Sequence, residues 1–471
     1  MRAREPSDTP ARLLAALRRA LPARAVITDA DALEDHEFDA LGTRRGFIDD
    51  GARPVPPLAV VMPETTEQVA AVVRLAAQHR TPVVPYGGGT GLMGGARSVR
   101  PDIVLDMKRM SRIREVDADA GWAWIEAGAV LGDVNRALAP QGLMLGHDPW
   151  TFDIATIGGT ISTNGLGYLG GKYGSMGQQV LALEVVLPDE RLLATRPAQP
   201  HSTGIDLTRL FVGGEGTNGI VTAAAVRVFP IPEASVRMGF RFESFEAGFD
   251  AILAMRRIGL VPAMLDYGER TPRTAGWEPQ PPTLYLGFMG VREEVEGQVR
   301  RAEAVCAGAE RIVATDIEEF WAERHVPAER FAQRRRRDDG WPPAGQCFDY
   351  VHVALPASGV LAYRDGATAL ARAEGVDVVE TGLWVHAGLF SMVLATSGEE
   401  GPARMSRAVD AELRLAIEAG GSVEYCHGVG VRLAHLMREE HGAGLDVMRE
   451  LKRALDPHHI LNPGKLALDD G

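Results

Sequence analysis

Glycine-rich segments carry the clearest chemical signal in this sequence. The stretch Pro82–Ala96, PVVPYGGGTGLMGGA, begins with the β-branched residues Val83 and Val84 and continues into a cluster of glycines. Because glycine lacks a Cβ atom, such a loop reaches positive φ angles and turns several backbone N–H groups inward together. The stretch therefore predicts a cradle for a bulky anion, with a phosphate as the simplest choice.

Three segments match the dinucleotide-binding pattern G-x-G-x-x-G, namely Gly89–Gly94, Gly165–Gly170 and Gly214–Gly219. The first is followed by Asp106, as in a Rossmann fold, but that fold also needs a crossover helix at this place. Only eight residues separate Gly94 from Ile103, and one of them is Pro101, so a helix does not fit there. The other two matches lack a strand–turn–helix context, and the Rossmann interpretation is disfavoured.

The second interpretation is that the glycine segments converge on one large ligand. Residues 85–95 would hold a pyrophosphate, residues 147–177 would follow the length of the ligand, and residues 213–221 would line a planar ring. The alternative, that these are ordinary surface turns, stays open but accounts poorly for residues 147–177. Long irregular segments inside compact domains are usually functional.

The elements around these loops predict two different layouts before and after Pro230 and Pro232. Residues 58–107 have the pattern strand, helix, strand, glycine loop and strand, which indicates an α/β arrangement. After the two prolines, two copies of a split β-α-β pattern predict a duplicated ferredoxin-like sheet. The second copy is expected to end in a strand at 421–425, and helices are expected at about 430–440 and 444–455.

Composition and charge exclude several classes of function. The chain has 471 residues and a net charge of −13, which argues against a nucleic-acid partner. Its three cysteines have no CxxC spacing, so neither a disulfide framework nor a cysteine-based zinc site is expected. No apolar run is long enough for a membrane span. The Arg-rich N-terminus fits an amphipathic helix over 10–21 better than a transit peptide, and we expect a cytoplasmic protein.

Four longer motifs carry a resemblance to a known family. They are PYGGGTGLMGG at 85–95, GHDPWTFDIATIGGTISTNGLGYLGGKYGSMGQQVLALEVVLPD at 146–189, LFVGGEGTNGIVT at 210–222 and LDPHHILNPGKL at 455–466. Together they resemble flavoproteins of the vanillyl-alcohol-oxidase type. The similar branch contains D-lactate and D-2-hydroxyglutarate dehydrogenases, the glycolate oxidase flavin subunit and alkyldihydroxyacetonephosphate synthase.

The resemblance implies an α+β fold. An FAD-binding domain of two α/β subdomains would be followed by a cap domain with a large antiparallel, duplicated ferredoxin-like sheet and by a C-terminal helical segment. The expected divisions are an N-terminal helical segment at 1–54, the FAD-binding domain at 55–232, the substrate or cap domain at 233–425, and a segment at 426–471 that returns to the FAD domain.

The resemblance also implies FAD as the cofactor. The residues expected to bind it are Pro85, Tyr86, Gly87, Gly88, Gly89, Thr90, Gly91, Leu92, Gly94, Asp148, Pro149, Thr156, Gly158, Gly159, Ser162, Asn164, Gly174, Glu215, Gly219, Ile220, Val221 and Asn462. Residues 85–94 would bind the diphosphate, residues 148–174 would follow the ribityl chain and the isoalloxazine ring, and residues 215–221 would meet the adenine and ribose side and the ring. Asn462 would close over the flavin. Some members of the wider family tether FAD through a histidine in the pyrophosphate loop, and this loop has none, so non-covalent FAD is expected.

The catalytic motifs depart from the family pattern. Hydroxy-acid dehydrogenases of this branch hold a metal with the histidines of H-x-G-D-G-N-x-H and the glutamate of E-H-G, and the histidine of E-H-G acts as base. Here the first motif reads HAGLFSMV from His386, and the second reads Cys426-His427-Gly428. A Cys/His pair can bind zinc, but with most ligands replaced we expect no metal site. The catalytic candidates, in order, are His427, Tyr425, His386 and His352.

The implied function is FAD-dependent oxidation of an alcohol or 2-hydroxy acid. Hydride would pass to flavin N5 while His427 takes the hydroxyl proton, without a metal. Two alternatives stay open: a transferase like alkyldihydroxyacetonephosphate synthase, without net redox, and a flavin-binding protein that has lost catalysis. The expected partner is a small alcohol or hydroxy acid, with no nucleic acid and no membrane span, and a homodimer is left open.

Overall fold

Three sheets organise the part of the chain that the computed structural model describes, namely residues 9–37, 39–41, 55–270, 279–326, 328 and 346–469. Two sheets are built by residues up to Pro230 and the third, here called the cap sheet, by residues after it. One large hydrophobic core fills the first part and a second one fills the cap sheet and its helices.

The first sheet carries the glycine loop. Its elements are α1 (Thr9–Ala20), β1 (Val26–Ile27), α2 (Ala30–Glu34), β2 (Ala59–Val61), α3 (Thr66–His79), β3 (Val83–Tyr86) and β4 (Ile103–Asp106). The strand order is β1-β2-β4-β3, and only the β1–β2 pair is antiparallel. Helix α3 forms because Thr65 caps it by accepting the N–H of Gln68 and because apolar residues recur at helical spacing on its buried face.

The connection from β3 to β4 contains no helix. Residues 87–102 are turns, bends and extended chain. A Rossmann unit would place its crossover helix here. The prediction that the first G-x-G-x-x-G match is not a Rossmann fingerprint is therefore confirmed.

The second sheet holds the other two glycine segments. Its elements are β5 (Ile113–Asp117), β6 (Trp122–Glu126), α4 (Leu131–Leu138), β7 (Leu143–Leu145), α5 (Ile157–Ser162), α6 (Gly170–Tyr173), α7 (Met176–Gln179), β8 (Val180–Val186), β9 (Leu192–Ala194) and β10 (Ile220–Pro230). The order is β5-β6-β10-β8-β9, with β7 also paired to β10, and every pair is antiparallel. The segment 147–177 includes the short helices α5 and α6 and the start of α7, so it is more regular than its sequence suggests.

The cap sheet is the expected duplication. Its elements are β11 (Ala234–Arg241), α8 (Phe245–Arg257), β12 (Met264–Arg270), β13 (Gln280–Gly290), α9 (Arg292–Val305), β14 (Glu310–Arg311), α10 (Ala314–Glu323), β15 (Gln346–Ala354), α11 (Val360–Ala373), β16 (Asp377–Trp384), β17 (Leu389–Ser397) and α12 (Gly401–Glu418). The order is β14-β11-β13-β12-β16-β17-β15. The first half has the β-α-β-β-α-β order of a ferredoxin-like fold, the second half has the same order without its last strand, and the halves join through β12 and β16.

The strand expected at 421–425 is wrong. Within the described residues 419–430 only Ser422 makes a β-bridge, to Ala354. The side chain of Glu424 accepts the backbone N–H groups of the next three residues, Tyr425 to His427. A strand would offer those groups to a neighbouring strand, so the chain turns here instead.

The C-terminal helices are α13 (Met437–His441) and α14 (Ala443–Leu455). The first begins later than expected: the N–H groups of Val431 and Arg432 bond to the carbonyl oxygen of Met93, and a 3₁₀ turn at Ala434–Leu436 precedes the helix. After α14 the chain returns to the first sheet, where the N–H of Asn462 donates to the Val83 oxygen at 2.8 Å. Among the helices described, none is both long and apolar enough to span a bilayer.

Candidate active site

A cavity of about 740 Å³ lies where the first two sheets meet the cap sheet and the C-terminal segment. Residues from all three glycine segments form what we call the glycine wall, within 85–95, 147–166 and 215–221. Trp384 at the end of β16, with Cys426 and His427 from the loop that follows α12, forms what we call the histidine wall. The glycine segments thus converge on one site.

Sixteen of the residues expected to bind the cofactor line this cavity. They are Pro85, Tyr86, Gly87, Gly88, Gly89, Thr90, Gly91, Leu92, Pro149, Thr156, Gly158, Gly159, Ser162, Glu215, Ile220 and Val221. The other six stand behind the wall: Gly94, Asp148, Asn164, Gly174, Gly219 and Asn462. Each of these six residues makes a contact or adopts a backbone conformation that shapes the wall.

Close packing explains why glycine is needed at the centre of the glycine wall. A Cβ atom on Gly87 would lie under 3.0 Å from the Thr156 hydroxyl, and one on Gly88 under 3.0 Å from the carbonyl oxygen of Ile154. Real Cβ atoms do not approach backbone that closely, so a side chain at Gly88 would push the loop away. The loop after β3 is therefore held directly against the start of α5.

The residues behind the wall fix the shape of the segments that form it. The Asn462 side-chain amide donates to the carbonyl oxygens of Gly95 and Glu215, at 2.8 and 2.6 Å, and so ties two glycine segments together. The Asn164 side chain accepts the N–H of Gly177 at 3.0 Å. Gly94 and Gly174 have φ angles of +77° and +76°, and Gly219 packs against side chains of the second sheet's core.

Asp148 connects the glycine wall to the cap. Arg324 Nε donates to one oxygen of its carboxylate at 3.0 Å, and His325 Nε2 lies 2.9 Å from the other. Both partners follow α10, and the Arg324 guanidinium also stacks on Trp321 at 3.8 Å from the ring centre. The acidic residue of the D-P motif thus forms an ion pair between two parts of the fold.

The histidine wall is organised by Glu424. One oxygen of its carboxylate accepts the N–H groups of residues 425–427 at 2.9 to 3.1 Å and lies 3.2 Å from His427 Nδ1. Burial alone would raise the pKa of Glu424, but the imidazoles of His427 and His352 and these N–H groups lower it to about 2. Glu424 is therefore a fixed carboxylate against the His427 ring.

Three other side chains surround His427. The ring centre of His352 on β15 lies 4.6 Å from that of His427, and the Tyr425 ring lies 5.5 Å from that of His352. The Cys426 sulfur is 3.3 Å from His427 Nδ1 and 3.5 Å from Nε2. Burial raises the pKa of both Cys426 and Tyr425 well above their usual range, so both stay protonated.

His352, Glu424 and His427 each offer a ligand atom within 4.8 Å of the others, a spacing that suits either a hydrogen-bonded cluster or a metal ion. His386, the histidine kept from the family metal motif, does not join them. It is exposed in the turn between β16 and β17, where its Nδ1 accepts the N–H of Gly388 at 3.4 Å. Of the four catalytic candidates, His427, Tyr425 and His352 thus cluster and His386 lies apart.

Glu215 holds the loop that carries His427. Its carboxylate accepts the N–H groups of Val429, at 2.6 Å, and Gly430, at 3.0 Å. Burial raises its pKa to about 7, although those N–H groups and the charge of Lys465 oppose the rise. Glu215 was expected at the cofactor, and it does line the cavity, but its carboxylate also fixes the position of the histidine wall.

Sequence reasoning missed Glu424 and His147. Glu424 stands three residues before His427, and that spacing across a tight turn brings a carboxylate to an imidazole. His147 directly precedes the D-P pair, lines the cavity and is 2% exposed. Neither of its ring nitrogens has a hydrogen-bond partner among the residues that the structure describes.

The residues of the glycine wall fit FAD. Small residues allow a flat ring and a chain of phosphates to approach the backbone closely. The unpartnered nitrogens of His147 leave hydrogen-bonding capacity in the wall for a polar ligand. Residues 85–95 contain no histidine that would attach the cofactor covalently.

Comparisons with known proteins agree with this geometry. A family model described as FAD binding domain matches residues 57–196, and one described as FAD linked oxidases, C-terminal domain, matches residues 231–466. Glycolate oxidase subunit GlcD of Bacillus subtilis is 30% identical, over 88% of this chain and 90% of its own length. Alkyldihydroxyacetonephosphate synthase of Trypanosoma brucei brucei is 28% identical, over 96% of this chain and 79% of its own length.

The fold is shared with a solved structure of p-cresol methylhydroxylase with substrate bound. The TM-score is 0.75 and the match covers 98% of both chains at 18% sequence identity. That likeness confirms the architecture expected from the motifs. The chain therefore belongs to the FAD-linked oxidases, flavoenzymes whose cofactor is FAD.

Proposed function

We propose that this protein oxidises a small alcohol or 2-hydroxy acid, with His427 as the general base and without a metal ion. The observation that carries the proposal is that His427 lines the cavity while its Nδ1 lies 3.2 Å from the buried carboxylate of Glu424. A base must reach the substrate hydroxyl and must be held in one orientation. This pair meets both needs.

The pair sets the tautomer of His427. A carboxylate 3.2 Å from Nδ1 favours the form with the proton on that nitrogen, so the lone pair is on Nε2. Nε2 then takes the hydroxyl proton of the substrate, and the positive ring that results is stabilised by the Glu424 charge. Bound FAD supplies the hydride acceptor, at flavin N5.

The relatives support the oxidation of hydroxy acids. One similar protein is named a glycolate oxidase subunit, and glycolate is a 2-hydroxy acid. A second candidate is a transferase without net redox, because alkyldihydroxyacetonephosphate synthase is similar over 96% of this chain. The chain matches the synthase pattern only in part around His427, so we place oxidation first.

Anaerobic mixing of the holoprotein with a panel of 2-hydroxy acids and aryl alcohols tests the proposal. We expect at least one compound to bleach the flavin absorbance, at the same rate before and after treatment with a chelator. Ether formation without bleaching would favour the transferase instead. A reduction rate that falls with the chelator and recovers with added divalent metal would assign His352, Glu424 and His427 to a metal site and contradict the metal-free mechanism.

The proposal includes FAD held without a covalent bond, because residues 85–95 contain no histidine. Acid precipitation is the direct measurement. We expect the flavin in the supernatant, and flavin that stays with the precipitated protein would contradict this part of the proposal.

A further inference from the structure

His147 is a buried side chain whose hydrogen bonds are missing. It follows β7, is 2% exposed and lines the cavity beside Thr160 and Gly165. A Cβ atom on Gly165 would lie 3.4 Å from His147 Nε2, so the ring lies directly against that part of the wall. In the part of the chain that the structure describes, neither Nδ1 nor Nε2 has a partner.

Without a bound ligand, the unpaired ring of His147 destabilises the folded protein. Burial lowers the pKa of His147 to about 4, against the opposing charge of Asp148, so the ring is neutral near pH 7. A neutral imidazole has one N–H donor and one lone pair, and leaving each of them buried and unpaired costs about 1–3 kcal/mol. The neighbouring Asp148 carries a buried charge that does have a partner, because Arg324 Nε donates to its carboxylate at 3.0 Å.

The position of the ring indicates which ligand provides the missing partner. The wall around His147 comes from residues 147–166, the segment assigned to the flavin part of the cofactor. Leu166, next in the wall, faces Gly170 together with Val385 of the cap, so this part of the cavity is close to the end of β16. The phosphate loop instead packs on residues 154–156, through Gly87 and Gly88.

We infer that His147 hydrogen-bonds the polar edge of the flavin ring when FAD is bound. The inference depends on FAD as the cofactor and not on the proposed oxidation. It assigns a binding role to a residue outside the set expected from the motifs. It also predicts that removing the hydrogen-bonding groups of His147 weakens FAD binding but does not destabilise the apoprotein.

The test compares His147→Phe with His147→Gln. Phenylalanine keeps a ring but offers no hydrogen bond, and we expect the FAD dissociation constant to rise about three- to tenfold, the change that one lost hydrogen bond gives. The absorption bands of the remaining bound flavin should shift. The apoprotein of the same variant should melt at the same temperature as the wild type or above it, because an unpaired polar group has been removed.

Glutamine keeps a donor and an acceptor, so we expect His147→Gln to hold FAD within about twofold of the wild type. The exposed His441 provides a matched control, His441→Phe, which should change neither affinity nor spectrum. Unchanged FAD affinity and spectrum in His147→Phe would overturn the inference. Equal loss of FAD in both His147 variants would also overturn it, because shape rather than hydrogen bonding would then be responsible.

Discussion

The glycine wall and the histidine wall of the cavity are built by different means. In the glycine wall, close backbone packing sets the shape, as between Gly88 and the carbonyl of Ile154. In the histidine wall, individual side chains set the chemistry, and one carboxylate, Glu424, holds both the turn and the His427 ring. In the proposed function, the glycine wall holds the cofactor and the histidine wall carries out the proton transfer.

The two walls should tolerate substitution differently. Replacing a glycine in the first wall disturbs backbone packing that the whole cofactor needs. Replacing a side chain in the second wall should leave the close backbone packing at Gly87 and Gly88 unchanged. Substitutions in the glycine wall should therefore change FAD affinity, and substitutions in the histidine wall should change the rate of flavin reduction.

The largest effect is expected for His427→Ala. Removal of a positioned general base slows the chemical step about 10²- to 10⁴-fold, while the glycine wall should retain FAD as in the wild type. Stopped-flow measurement of flavin reduction, with FAD content by absorbance, checks both. His441→Ala, an exposed histidine of α13, is the control and should keep the wild-type rate. Reduction at the wild-type rate in His427→Ala would remove it from the mechanism.

The next effect belongs to the glycine wall. In Gly88→Ala the new methyl group meets the Ile154 backbone, which has no flexible end to move. Overpacking of this kind costs about 1–3 kcal/mol, so FAD should bind about 10- to 100-fold more weakly. Fluorescence titration of the apoprotein with FAD measures this affinity.

Gly297→Ala is the matched control for that variant. Gly297 lies in α9, where a Cβ atom meets only the tip of Arg300 at 4.0 Å, and alanine favours a helix. This variant should bind FAD normally and be slightly more stable. Normal FAD affinity in Gly88→Ala would show that the loop after β3 is not held in the way its glycines suggest.

The sequence predicts the glycine wall better than the histidine wall for a physical reason. Glycine spacing and helix periodicity follow local backbone rules, so the loop after β3, the missing crossover helix and the duplicated cap sheet could all be inferred. The strand expected at 421–425 was wrong because a side chain, Glu424, takes the N–H groups of that backbone. Asp148 pairs with Arg324, far along the chain, and no local pattern indicates such a partner.

A smaller effect is expected for Glu424→Gln. The amide is close to the carboxylate in size but lacks the charge that orients His427 and stabilises its protonated form, so flavin reduction should slow about tenfold. FAD affinity should not change. Glu424→Asp keeps the charge and should recover part of the rate, which a purely structural role would not produce.

Glu440→Gln is the control for that substitution. Glu440 also accepts a backbone N–H of this segment, from Val423 at 3.2 Å, but Glu424 rather than Glu440 contacts the His427 ring. It should reduce flavin at the wild-type rate. If both glutamine variants slow the reaction equally, then Glu424 supports the backbone of the loop and does not act on the histidine.

The last prediction concerns stability and joins the two walls through Glu215. Its folded pKa is about 7, above the ordinary 4.5, because burial disfavours the charge. The folded state thus keeps a proton that the unfolded chain has lost, so the stabilisation is complete below pH 4.5 and disappears as the pH rises through 7. Up to about 3 kcal/mol of the free energy of unfolding should be lost over this range.

Glu215→Gln cannot titrate, so its free energy of unfolding should fall less between pH 5 and pH 8 than that of the wild type, measured on the apoproteins by chemical denaturation. The change of the unfolding free energy with pH is the quantity to compare. Its absolute value is not, because the amide also weakens the bonds to Val429 and Gly430 and lowers stability at every pH. Equal slopes would mean that Glu215 is ionised in the folded protein throughout this range. In that case its charge would be balanced by the N–H groups and Lys465, and the loop carrying His427 would be held equally well at all these pH values.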